Sequence, residues 1–270
     1  MPGNPGHVTR SVLFSRDLKE SAFISMTEPN TPTRVALITG AAVRVGRAIA
    51  FRLADAGFDI AFTYLNSDKS ANELVDQIKG KKRNALAIKA DLTDPIIGVK
   101  TIHSEFTAGF ERLDVLVNNA SLYEPDAPAD TTQLRRLWSI HVESPLFLSR
   151  AFSSMLGSAD GCIVNMVDLQ AERPIPDYLA YCSSKAGLWN LTLGLARKLA
   201  PRVRVNGIAP GVVAWPKDFP LEQQTAYLRR VPLGRAGTPQ DVAEAVHFLC
   251  AGDTYMTGQV LRLDGGRSIT

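Results

Sequence analysis

The fold class this sequence predicts is α/β: one parallel, doubly wound sheet with helices on both faces. Three observations carry the prediction. From Arg34 onward, short apolar runs alternate with segments of helical period. The first apolar run leads directly into a glycine-bearing turn, Thr39-Gly40-Ala41-Ala42-Val43-Arg44-Val45-Gly46-Arg47. No internal repeat or linker divides residues 34–270. In sheets of this kind ligands bind beyond the carboxyl ends of the strands, so the chemistry is sought just after each one.

The elements follow in order. Val35-Ala36-Leu37-Ile38 reads as a buried first strand. Arg47 to Ala56 reads as the following helix, closed by Gly57, and Asp59-Ile60-Ala61-Phe62-Thr63-Tyr64 as the second strand. A helix over 69–79, a strand over 85–89, a helix over 95–109 and a strand over 114–118 come next. A long helix within 130–156 leads to a strand over 162–167. A helix over 178–200, a strand over 203–208, a helix near 239–250 and a strand over 259–263 complete a Rossmann-type domain over 34–270. Residues 1–33 differ: Pro2, Pro5, Pro29 and Pro32 interrupt a stretch of mixed charge with no sustained period. They are expected to form a flexible N-terminal extension, and they lack the apolar core of a secretory signal.

Composition removes several function classes. The chain has 270 residues, 45% of them hydrophobic, and a formal net charge of +3. It carries no long basic run, so nucleic acid is not an expected partner. No apolar stretch is long enough to cross a bilayer, so no membrane partner is expected either. Cys162, Cys182 and Cys250 are widely spaced and odd in number, which suggests reduced thiols and a cytoplasmic protein. His7, His103, His141 and His247 are scattered, so no metal site is expected.

In the glycine turn, Gly40 can turn tightly and Gly46 lets the helix approach the sheet. The helix start then offers N–H groups and a positive dipole end to a pyrophosphate. Plain turn chemistry is the alternative for such a glycine pair. Arg44 is either a solvated loop arginine or a cation over phosphates or substrate, and Val45 lies beside it in the turn. A cofactor acid roughly 20 residues on would select NAD. Here the second strand ends in Tyr64-Leu65-Asn66-Ser67, and no carboxylate stands there until Asp68, which starts or caps the next helix. Neutral Asn66 and Ser67 are compatible with a 2′-phosphate, so NADPH is the expected cofactor. Asp91, followed by Leu92, either accepts from an adenine amino group or caps the next helix.

Tyr181 and Lys185 are spaced to share one helix face. An ammonium there would favour the ionised phenol and bring it down from ~10 toward neutrality, which suits a general acid. An exposed Tyr/Lys pair on a helix surface is the plain alternative.

Taken together, the glycine turn, Asn118-Asn119-Ala120, Tyr181 with Lys185, Arg204-Val205-Asn206-Gly207-Ile208-Ala209-Pro210-Gly211 and Leu263-Asp264-Gly265-Gly266 resemble the short-chain dehydrogenase/reductase family across essentially all of 34–270. Within it, the chain looks most like the pteridine reductases and the bacterial dihydromonapterin reductases. Arg44 replaces the middle glycine, Tyr123 follows Asn118-Asn119-Ala120-Ser121, and Asp168 ends the fifth strand where most of the family has a catalytic serine. Arg197-Lys198-Leu199-Ala200-Pro201 and Asp264-Gly265-Gly266-Arg267 also resemble the dihydromonapterin branch.

The resemblance implies NADPH-dependent reduction of a C=N bond in a pterin, with dihydrofolate a further candidate. Tyr181 and Asp168 would assist protonation, and Lys185 would position the nicotinamide ribose. Asn118, Ala120, Ser121, Pro210, Gly211 and Val213 would line the cofactor. Arg44, Ser121, Tyr123, Asp168, Tyr181 and Trp215 would meet the substrate, with Tyr123 stacking on the pterin. Trp215 either lines the pocket or packs the loop 214–222. His141 falls where the family has an asparagine in a water relay to the lysine; imidazole could take that role. The resemblance also implies a homotetramer built on the helices near 130–156 and 178–200. Two rivals stand: a carbonyl reductase such as a 3-oxoacyl-carrier-protein reductase, and a non-catalytic NADP(H)-binding sensor.

Overall fold

Strand β1 (Val35–Ile38) is buried at all four positions, and β2 (Asp59–Tyr64) pairs with it in parallel register, Val35 beside Asp59. These two strands begin a seven-stranded sheet in a computed structural model that describes residues 32–127, 131–215, 218–252 and 254–270. The extension expected over 1–33 lies, apart from its last two positions, outside the described residues. Strands β3 (Ala85–Lys89), β4 (Val115–Asn118), β5 (Cys162–Met166), β6 (Arg204–Pro210) and β7 (Val260–Leu263) complete the order β3-β2-β1-β4-β5-β6-β7, with every pairing parallel. The central strands are near-continuous apolar runs because both faces of the sheet are covered.

Helices α1 (Arg44–Asp55) and α2 (Asp68–Gly80) cover one face together with α9 (Pro239–Cys250). The other face is covered by α3 (Pro95–Gly109), α5 (Ser144–Ala151), α6 (Ser153–Ser158) and α7 (Leu179–Leu199). The chain leaves β1 in one direction and enters β4 on its other side, so a crevice opens between their carboxyl ends. Thr39 and Asn119 stitch the two strand ends together there. The Thr39 hydroxyl accepts from the N–H groups of Asn119 and Ala120, each at 2.9 Å, and the Asn119 amide donates to the carbonyls of Thr39 and Gly40. A side chain on Gly46 would begin 2.5 Å from the Gly40 carbonyl oxygen and 2.7 Å from Ala41 Cα, so only glycine lets α1 sit this close.

Two elements depart from the sequence-based expectation. The long helix expected within 130–156 is broken. It runs as α4 (Thr131–Trp138), a π-helical turn over Ser139–Glu143, then α5 and α6. Pro145 has no N–H to give the carbonyl four residues earlier, that of His141. The turn widens instead, and the Ser144 N–H reaches back to Ser139. The helix α8 (Leu221–Leu228), absent from the expected elements, has no buried residue and therefore leaves little periodic trace. Among the described residues no helix is long and apolar enough to cross a membrane.

Candidate active site

Asp168 leaves β5 in an extended conformation, and its side chain turns back over the next residues. One carboxylate oxygen accepts from the Gln170 N–H at 2.8 Å, and the other accepts from the Tyr181 hydroxyl at 2.9 Å. Tyr181 lies in the first turn of α7, whose start is held from a distance. Both oxygens of Asp126, in the segment after β4, accept from the N–H groups of Leu179 and Ala180 at 2.7 and 2.9 Å. A carboxylate at a helix start satisfies donors that the helix leaves open and complements its dipole. The phenol is thereby aimed at a fixed point above the end of β5.

Lys185 lies one turn further along α7 and is only 2% exposed. Its Nζ donates to the Met166 carbonyl at 2.8 Å and stands 5.8 Å from the Tyr181 ring centroid. Burial pulls the amine down to about 8, while the Asp168 charge opposes this.

The phenol departs from expectation. Burial raises the Tyr181 pKa well above its ordinary value, and the neighbouring Asp168 charge raises it further. The lysine does not reverse this, because burial and the adjacent carboxylate, at which the phenolic O–H points, dominate the phenol's surroundings. Tyr181 is thus a neutral hydrogen-bond donor. Burial also raises the Asp168 pKa, against the pull of the Gln170 N–H, Lys185 and Tyr181.

Aromatic rings wall the pair. Tyr123 packs edge to face against Tyr181, with centroids 4.9 Å apart, and stacks on Tyr178 at 4.6 Å. The Tyr178 stack and the Gln170 amide, which donates to the Tyr123 hydroxyl at 3.4 Å, were not among the expected site features. Behind Tyr181 lies His141, buried within the π-helical turn, with its ring 5.5 Å from the phenol ring. Ser121, exposed and next in sequence to Ala120, has its hydroxyl 2.8 Å from His141 Nε2.

The remaining expected residues take the following places. Gly40 has φ +66°, and a Cβ there would begin 2.9 Å from Ala120 Cα, so these two backbones abut at the crevice. Arg44 has φ +52°, a conformation that favours glycine, at the position where many such turns carry one. Its guanidinium donates to the Ala214 carbonyl at 3.4 Å, joining the glycine turn to the segment after β6. Val45 packs partly buried against the core, beside buried Gly46. Pro210 ends β6, the Gly211 N–H bonds to the Leu263 carbonyl, and Val213 is half-buried. Trp215 stacks on Phe219 and meets Tyr227, in α8, edge-on.

Asn118 is buried and donates to Asn165, beneath the crevice. Asn66 and Ser67 lie at the end of β2, and Asp91 and Leu92 lie past β3. Leu92 is buried. Asp91 is not the helix cap considered for it. Its carboxylate accepts from Thr93, and Asp94 caps α3 through the Ile97 N–H. Asp68 opens α2 and pairs with Lys89 at 2.8 Å. Among the described residues no cluster of metal-ligating side chains is present.

A family model described as Enoyl-(Acyl carrier protein) reductase matches residues 40–268. The chain is 33% identical over 243 residues to 3-oxoacyl-acyl-carrier-protein reductase FabG of Staphylococcus aureus, covering 87% of this chain and 98% of that one. It is 32% identical over 288 residues to pteridine reductase 1 of Leishmania tarentolae, covering 90% and 99%. Among solved structures, acetoin dehydrogenase from Enterobacter cloacae superposes with a TM-score of 0.81 at 30% identity, covering 89% and 97%. A blue fluorescent protein from a metagenomic library, in complex with NADPH, gives 0.80 at 33% identity, covering 87% and 97%.

Proposed function

The chain belongs to the short-chain dehydrogenase/reductase family, and from that premise we propose that it is an NADPH-dependent reductase of a pterin C=N bond. The observation that carries the reading is the 2.9 Å bond from the Tyr181 hydroxyl to Asp168. A ketone reductase needs a neutral donor for the carbonyl oxygen beside the phenol, a task suited to serine. A carboxyl whose pKa is raised by burial can instead hold a proton and release it to a ring nitrogen. Similarity alone does not separate the two chemistries, because the relatives named for each are equally distant.

The site residues fit the cofactor this reading requires. Val43 supplies no side-chain cap to α1, and the first turn of α1 carries no carboxylate, so its N–H groups suit a pyrophosphate. Lys185 keeps donors beyond the one it gives to Met166. Near the end of β2 the first acid, Asp68, is engaged by Lys89, which favours a 2′-phosphate over a bare ribose. NADPH would supply the hydride. Asp168 and Tyr181 would hold the matching proton over the acceptor nitrogen, and Lys185 would orient the ribose. Tyr123, backed by Tyr178, would offer an aromatic wall to a flat heterocycle. A homotetramer in solution is part of the same reading.

The test is NADPH oxidation with a panel of dihydropterins, dihydrofolate and an acetoacetyl thioester. We expect turnover with a dihydropterin. Turnover should fall as pH rises through the raised pKa of Asp168, because the carboxyl then loses the proton it donates. That alkaline limb should disappear in Asp168→Asn. Reduction of the thioester alone would refute the reading.

A further inference from the structure

His141 uses both ring nitrogens, and the partners dictate which of them carries the hydrogen. Nδ1 lies 2.8 Å from Ser184 Oγ, and the Ser184 hydroxyl donates its own hydrogen to the Tyr181 carbonyl at 2.7 Å. A carbonyl only accepts, so Ser184 has no hydrogen left for the imidazole, and Nδ1–H must be the donor. At the other end the Leu122 N–H lies 3.4 Å from Nε2, a long contact that only an acceptor nitrogen accommodates. A backbone N–H only donates, so Nε2 is an acceptor. The two ends agree on the Nδ1–H tautomer. Ser121 Oγ, 2.8 Å from the same Nε2, must then give its hydrogen to the ring; its other acceptor, the Leu122 carbonyl, is a poor one at 3.4 Å. The ring is 1% exposed, and burial together with the Lys185 charge pushes its pKa well below 6.5, so it is neutral at pH 7.

The consequence reaches the cleft. Ser121 is exposed there, next to Ala120 and the glycine turn, and its hydrogen faces inward toward His141. We propose that His141 is a positioning residue that makes the Ser121 hydroxyl a hydrogen-bond acceptor toward the cleft, so that the site selects a ligand presenting an amino or ring N–H at that point. The ring also donates to Ser184, whose hydroxyl bonds to the Tyr181 carbonyl, so this chain of bonds links the Ser121 acceptor to the turn that carries the phenol. With both nitrogens committed, His141 has no free nitrogen for a water relay to Lys185. The selection of an N–H donor rests on the pterin reading; the tautomer does not.

Two measurements test this. Long-range ¹⁵N–¹H correlation spectra of the full chain at neutral pH report the tautomer directly. The Nδ1–H form is expected, and an Nε2–H form or a charged ring overturns the proposal whatever the substrate. The second measurement is KM for the dihydropterin in Ser121→Ala, His141→Phe and the double variant. Each single change should raise KM roughly 5- to 10-fold, the worth of about one hydrogen bond, and the double change should raise it no further. Additive increases, or a His141→Phe loss confined to thermal stability, would overturn the selection role. If His141→Phe does not fold, the spectra of the wild-type chain still decide the tautomer. Absence of pterin turnover with an Nδ1–H ring would refute the pterin reading and leave the positioning of Ser121 standing.

Discussion

Tyr181→Phe is expected to lower turnover by roughly 10²- to 10⁴-fold, the range for losing a positioned proton donor, while changing NADPH affinity far less. The substitution removes one oxygen from a ring already packed by Tyr123 and His141, so the pocket keeps its shape. What is lost is the O–H that bridges to Asp168. Asp168 then loses a donor that stabilises its charged form, and its pKa should climb further. Single-turnover kinetics with saturating NADPH separate this loss of chemistry from any loss of binding. Wild-type-like turnover in Tyr181→Phe would remove the phenol from the reaction.

The second large effect is on stability. The Lys185 amine is displaced from its ordinary 10.5 to about 8. That displacement corresponds to about 3 kcal/mol of penalty on the charged amine. For a base with a depressed pKa the penalty is fully present below about 8 and fades as pH rises toward 10.5. Replacing the charge with Met removes the penalty at pH 7 but leaves the Met166 carbonyl without its donor, at a cost of about 1–2 kcal/mol. Lys185→Met should therefore stabilise the cofactor-free protein by about 1–2 kcal/mol, or roughly 2–8 °C in Tm. It should also abolish most activity. Calorimetry without NADPH checks the sign: a lower Tm at pH 7 would mean that the buried ammonium is stabilising.

The fold was legible because the central strands are uninterrupted apolar runs. Val35 to Ile38 lies buried between the two helical layers and reads as a continuous apolar run, while the 3.6-residue period marks the helices between the strands. The Asp168 and Tyr181 contact was expected from the resemblance to the pteridine reductases, which places an acid at the end of the fifth strand. What escaped were relations set by tertiary contact. The capping of α7 by Asp126 spans 53 residues, and nothing local to Tyr181 announces it. The Tyr178 stack depends on where a short 3₁₀ turn places a ring. The direction of the Tyr181 pKa shift failed for a related reason. Sequence spacing placed Lys185 near the phenol, but it could not reveal that the ammonium would bond to Met166 while the phenol met a carboxylate. The π-helical turn has a local cause in Pro145.

The central claim is that a carboxyl and a phenol share the proton delivered to a ring nitrogen. The most direct measurement is the ratio of dihydropterin to acetoacetyl-thioester turnover in the wild-type chain and in Asp168→Ser. The claim predicts a wild-type ratio well above one that collapses by roughly 10²-fold or more when serine replaces the acid. A ratio that is unchanged by the replacement, or that favours the thioester in the wild-type chain, would contradict it.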